Sequence, residues 1–272
     1  MPNSKPGSEA RRLARSAEAS RMLTLVGLGI WDEKDISVRG LEALKEAEIV
    51  FAERYTHFGS EKTIENLEKI SGKKITILTR EDVEGEEKIL SEAKLHPVCL
   101  LVGGDPMIST THISLLLSAR KRKIETRIIH SSSIFTAAVG ETGLQIYKFG
   151  KTVTLPFWRE NYKPTSTYDV IAENKSRGLH TMVFLDIAEK MMDAKEALEL
   201  LGGMEKTKKQ KVARAGDLVV VLSRIGSESQ RINFGKISEL LEKDLGAPPF
   251  ILIFPGKLHF LEEEALEMFR KS

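Results

Sequence analysis

The sequence predicts an α/β protein of two α/β domains: an N-terminal, mostly parallel sheet with helices on both faces, and a C-terminal mixed sheet. Three observations carry that reading. From Met22 onward short apolar runs alternate with amphipathic stretches of helical length. The early runs, such as Cys99-Leu-Leu-Val102, are apolar throughout, as strands covered on both sides must be. After Phe149 the pattern changes, with prolines at 156 and 164 and a polar turn between two later strands. A cleft between two such domains is the default ligand site, so the cofactor is expected there.

In chain order, residues 1–21 are rich in Ser, Ala and Arg and lack apolar periodicity, which predicts a disordered leader. A first domain over residues 22–157 is expected to run strand 23–29, helix 38–47, strand 49–53, helix 63–71, strand 74–78, helix 84–93, strand 98–102, helix 111–120, strand 126–130 and helix 133–140. A second domain over residues 158–272 follows, entered by a strand at 152–157. It should hold helix 168–175, strand 181–187, helix 194–201, a hairpin of strands 218–223 and 231–236, strand 250–254 and a closing helix 258–269. Each assignment follows apolar spacing and the turn residues that bound it.

The chain has 272 residues, 41% of them apolar and 29% charged, enough for two cores and too apolar for global disorder. The formal charge is +2 overall and +3 within residues 1–21, so the remainder stands near −1 and gives no reason to expect nucleic acid as a partner. One cysteine, Cys99, cannot form an internal disulfide or a cysteine metal cluster, which predicts a cytoplasmic setting. No apolar run is long enough to span a bilayer, so no membrane partner is expected.

Three loops after predicted strands are candidates for binding. Gly27-Leu-Gly29-Ile-Trp-Asp32 begins like a dinucleotide turn, and Glu53 stands where a ribose-binding acid would. The third glycine is replaced by Asp32, and Asp35 follows, so two carboxylates would face a pyrophosphate. A phosphate-bearing cofactor is disfavoured; the alternative is a plain tight turn with Asp35 capping the next helix. Gly103-Gly-Asp105-Pro-Met-Ile-Ser-Thr-Thr-His112 offers close backbone approach and a carboxylate at a strand end, although Asp105 could equally serve the loop's own amides. His130-Ser-Ser-Ser133-Ile134 offers hydroxyls and amides. Together they suit a small, nearly neutral cofactor with an amino-acid end and a nucleoside end.

Other patterns point elsewhere or nowhere. The six histidines show no zinc-ligand spacing, so no metal is expected, and the serines lie in no nucleophile elbow. Glu205-Lys-Thr-Lys-Lys-Gln-Lys211 reads as a solvated loop or, alternatively, a docking site for an acidic partner. Asp105 and His112 are the candidate acid–base groups.

The order GLG, GGDP with MISTTH, GETGLQIYKFGKTVTLPFW (Gly140–Trp158), HTMVFLDI (His180–Ile187), VVVLSRIGS (Val219–Ser227) and PPFILIFPGKLH (Pro248–His259) resembles the diphthine synthases. These form a branch of the tetrapyrrole-methylase-like S-adenosylmethionine methyltransferases. The resemblance implies a homodimer that moves methyl groups from S-adenosyl-L-methionine to the amino group of a modified histidine on elongation factor 2, in diphthamide biosynthesis. A tetrapyrrole or precorrin methyltransferase is the alternative, and a non-catalytic nucleotide-binding module a second. Carried over, the cofactor contacts fall on Ile30, Asp105, Ile108, Ser133, Ile134, Leu185, Ile225 and Phe250. Phe250 stands where relatives usually have histidine, and Ile225 where alanine is frequent.

Overall fold

A computed structural model describes residues 21–53, 59–187 and 190–270. The chain forms two compact units, the first ending at Ser133 and the second beginning at Ile134.

The first unit runs β1 (Met22–Gly27), α1 (Val38–Glu46), β2 (Ile49–Glu53), α2 (Thr63–Ser71), β3 (Ile75–Leu78), α3 (Arg80–Glu84), α4 (Glu87–Ala93), β4 (Pro97–Val102), α5 (Ile113–Lys121) and β5 (Glu125–Ile129). Its five strands are all parallel, in the order β3-β2-β4-β1-β5. Successive side chains of a strand point to opposite faces. Leu23 and Leu25 of β1 therefore pack with Ile89, Leu90, Leu115 and Ala119 from α4 and α5. Val26 packs on the other face with Ala43, Leu44 and Leu67 from α1 and α2.

The second unit runs α6 (Ile134–Thr142), β6 (Val153–Leu155), α7 (Ser166–Ser176), β7 (Thr181–Leu185), α8 (Ala194–Lys208), β8 (Leu218–Ser223), β9 (Arg231–Lys236), α9 (Ile237–Glu242), β10 (Phe250–Phe254) and α10 (Phe260–Glu267). Its sheet, β6-β7-β10-β8-β9, is mixed: β6 and β7 are parallel and every other pair is antiparallel. Val183, Val219, Val221 and Leu252 build one core with Tyr168, Leu198 and Leu201. Met182, Val220 and Ile253 point the other way and are also fully buried.

Two α/β units, one parallel and one mixed, are what the sequence predicts, but several details differ. The division falls at Ser133 and not near Phe157. The segment after α6 belongs with the second unit because Gln145 N–H donates to Glu262 (2.9 Å), and Gly150 N–H and His180 N–H exchange bonds with the carbonyls of His180 and Lys148 (2.9 and 2.8 Å). The single helix expected over 84–93 is two: a Thr79–Asp82 capping box starts α3, and Glu86 in the left-handed region (φ 60°) separates it from α4. Helix α8 continues through Gly202-Gly203 to Lys208, because Leu198, Leu201 and Met204 extend its buried stripe, so the first half of the basic run is a helix end and only Lys209–Lys211 leave it. Helix α9 was not foreseen. The expected leader lies outside the described residues except for Arg21, whose carbonyl accepts from Glu125 N–H (3.0 Å) and so joins the sheet. Among the described residues no helix is long and apolar enough to cross a membrane.

Candidate active site

In an open parallel sheet, ligands collect beyond the carboxyl ends of strands whose exits turn to opposite faces. β1 and β4 are neighbours that meet this condition, since α1 covers one face and α5 the other. The loops leaving them are pinned together: Gly104 N–H donates to Gly29 (2.8 Å) and Gly29 N–H returns a bond to Gly104 (3.3 Å). Gly29 (φ 82°) and Gly104 (φ 66°) both occupy the left-handed region that glycine tolerates. A Cβ on Gly27 would stand 2.5 Å from the Gly104 oxygen and 2.7 Å from the Ser131 Cβ, so the loops after β1, β4 and β5 converge there.

The first loop spends its amides internally. Asp35 accepts from Ile30 N–H (3.1 Å) and Trp31 N–H (2.7 Å). Asp35 is therefore not the helix cap expected of it: Ser37 caps α1 by accepting from Gly40 N–H, and Asp32 caps the short 3-10 turn at Glu33–Asp35. Two of the amides that would hold a pyrophosphate, those of Ile30 and Trp31, already face a carboxylate, which disfavours a phosphate-bearing ligand here. Nor does Glu53 await a ribose. It is 2% exposed and accepts from His112 Nε2 (3.1 Å).

His112 is equally buried, and its Nδ1 donates to the Pro106 carbonyl (3.0 Å). Both ring nitrogens thus face oxygen acceptors, the pattern of an imidazolium. Burial alone would lower its pKa, but the Glu53 hydrogen bond and charge, with the Pro106 carbonyl, hold it above the usual value. Asp105 is 6% exposed. Its Oδ1 accepts from Met107 N–H (2.9 Å), and its Oδ2 from His130 Nδ1 (2.8 Å) and Ser131 N–H (3.2 Å). Asp105 therefore ties the β4 and β5 loops together while retaining one side of a carboxylate at the edge. His130, which sequence reasoning treated only as the first residue of a serine loop, is the exposed member of that pair, its side chain 67% accessible. Its signal was its place immediately after β5.

Ile30, Asp105, Ile108 and Ser133 all lie on this edge, Ser133 and Asp105 buried, Ile30 half-buried and Ile108 exposed. In the second unit Ile134 opens α6. Leu185 ends β7, and Phe250 opens β10 opposite Ser223, two residues before Ile225, so these three share one end of that sheet. Phe250 is 5% exposed and its ring belongs to the core, which is why phenylalanine is tolerated there. An open concavity lined by Glu84, Thr111 and Ser114 lies to the flank, between α3 and α5. Among the described residues no three His, Cys, Asp or Glu side chains are grouped to hold a metal.

Residues 22–241 match the family of tetrapyrrole (corrin/porphyrin) methylases. The chain is 44% identical over 252 residues to a diphthine synthase of Methanocaldococcus jannaschii, covering 90% of this chain and 98% of that one. It is 46% identical over 250 residues to one from Methanocella arvoryzae, covering 90% and 97%. A crystal structure of a diphthine synthase superposes with a TM-score of 0.83 at 38% identity, covering 92% and 96%. A methylase by family and fold, the chain belongs within that class to the diphthine synthases, and it is an S-adenosylmethionine-dependent methyltransferase of diphthamide biosynthesis.

Proposed function

We propose that the chain methylates the amino group of the aminocarboxypropyl-histidine on elongation factor 2, in the cytoplasm, as a homodimer and without a metal. The observation that carries the cofactor reading is an acidic edge that offers no basic side chain to a phosphate. Loops 27–32, 103–112 and 130–134 hold no Lys or Arg, present Asp105, and have their foremost amides taken by Asp35. Such an edge suits a sulfonium-bearing nucleoside and repels a nucleotide. When bound, S-adenosylmethionine supplies an activated methyl group. The chain's share is to hold and orient: Ile30 and Ile108 offer apolar contact, Ser133 and Ile134 the amide end of the serine loop, and Asp105 a carboxylate for an ammonium group. Leu185, Ile225 and Phe250 are contacts that the family resemblance supports. In-line placement of an amine against a good leaving group accounts for much of such a rate without a Lewis acid.

The test is incubation with labelled S-adenosylmethionine and elongation factor 2 carrying the precursor side chain. Label on that protein supports the reading, and label only on a tetrapyrrole would replace it. Calorimetry with S-adenosylhomocysteine and NAD should show binding of the first alone.

A further inference from the structure

Transfer of a methyl group to an amine releases a proton, and the chain must provide for its removal. The nitrogen forms a bond to the methyl carbon as that carbon's bond to sulfur breaks. Positive charge passes to nitrogen, and one N–H proton must leave before a further methyl group can be added. Resting on the methyltransferase reading above, we propose that His130 Nε2 accepts this proton, with Asp105 as its positioning residue.

The argument is one of geometry. An ionised carboxylate only accepts hydrogen bonds, so the 2.8 Å contact with Asp105 Oδ2 places the hydrogen on Nδ1 and the lone pair of the neutral ring on Nε2. Asp105 cannot swing away, because the N–H groups of Met107 and Ser131 hold it as well. His130 therefore combines a fixed ring plane, set by a buried partner, with a side chain that is 67% exposed at the carboxyl edge of β5. The other described histidines are committed. His112 donates from both nitrogens within the core. His180 donates from Nε2 to Glu262 (3.1 Å) and accepts at Nδ1 from Gly256 N–H (3.0 Å). His96 precedes β4, at the opposite end of the sheet, and contacts Glu48. His259 accepts from Leu261 N–H to cap α10. Asp105 itself already receives three donors. Among the described residues, His130 alone pairs an oriented ring with an accessible second nitrogen on the cofactor edge.

The experiment compares the parent with His130→Ala and His130→Gln in single-turnover methylation of elongation factor 2 bearing the precursor, at saturating S-adenosylmethionine. Calorimetry with S-adenosylhomocysteine runs in parallel. The expected result is a loss of about 10²-fold in the transfer step, with S-adenosylhomocysteine affinity close to that of the parent. Added imidazoles should restore rate to His130→Ala, the more so the more basic the imidazole. Parent-like rates in either variant would overturn the assignment. So would a loss that no imidazole rescues, or a rescue indifferent to basicity. Failure of the parent itself to bind S-adenosylhomocysteine or to methylate the protein would instead overturn the methyltransferase reading, so the two failures are distinguishable.

Discussion

Three histidines show how neighbouring groups decide what one side chain does. His112 lies between two acceptors, which hold its pKa above the usual value against burial; His180 lies between an acceptor and a donor, and burial, the largest influence on it, pushes its pKa down. His130 has one acceptor and then solvent. Because His112 titrates higher folded than unfolded, its contribution is whole below about pH 6.5 and is lost as pH rises through the folded value. His112→Leu should thus lower stability by about 3 kcal/mol at pH 6 and by less in alkali, a narrowing that thermal unfolding at the two pH values would reveal. Asp105→Ala should weaken S-adenosylhomocysteine binding by roughly 10- to 150-fold. It should also lower the melting temperature, since Met107, His130 and Ser131 all lose an acceptor. Calorimetry and a melting curve on the same sample separate the two effects. The sequence showed Asp105 as a carboxylate at a strand end, but its partner His130 lies 25 residues on, and no local pattern links them.

At the scale of elements, Glu262 on α10 holds the second unit's segments in register. It is fully buried and accepts from Lys148 Nζ, Gln145 N–H, His180 Nε2 and His259 N–H. Burial raises its pKa, yet Lys148 and these N–H donors outweigh that and bring it down to about 2 from 4.5. Since the folded value lies below the unfolded one, the stabilisation is complete above about pH 4.5 and disappears as pH falls towards 2. Glu262→Gln should therefore flatten the acid limb of stability and lower the neutral plateau by about 3 kcal/mol; denaturant titrations at pH 7 and pH 3 measure both. Elements were most legible where one signal governed them. β2 and α2 fall where apolar spacing placed them, whereas α8 overran its expected end because tertiary burial of Met204 outweighed two glycines. The boundary at Phe157 misled for a similar reason. Proline and polar residues mark a local turn, but the long-range bonds to Glu262 decide which unit owns the preceding segment.

At the scale of the molecule, the class was readable because alternation of strand and helix constrains topology strongly, while strand order and pairing of loops required the fold itself. Cys99 lies at the centre of the first unit, fully buried, its thiol pushed up to about 12 by burial. A thiol reagent should find no reactive group in the native protein and one equivalent in denaturant, so the rate of labelling reports how often the first unit opens. The strand order has a further consequence during synthesis. β1 is made first, yet its two partners are β4 and β5, so the ribosome must extend the chain through Val102 before the first strand has one neighbour and through Ile129 before it has both. Before β4 is made, the segment Leu23–Val26, apolar but for Thr24, has no sheet to enter. Nascent chains arrested before β4 has emerged should remain sensitive to protease and bind holdase chaperones, and resistance should arrive in one step once β5 has cleared the exit tunnel.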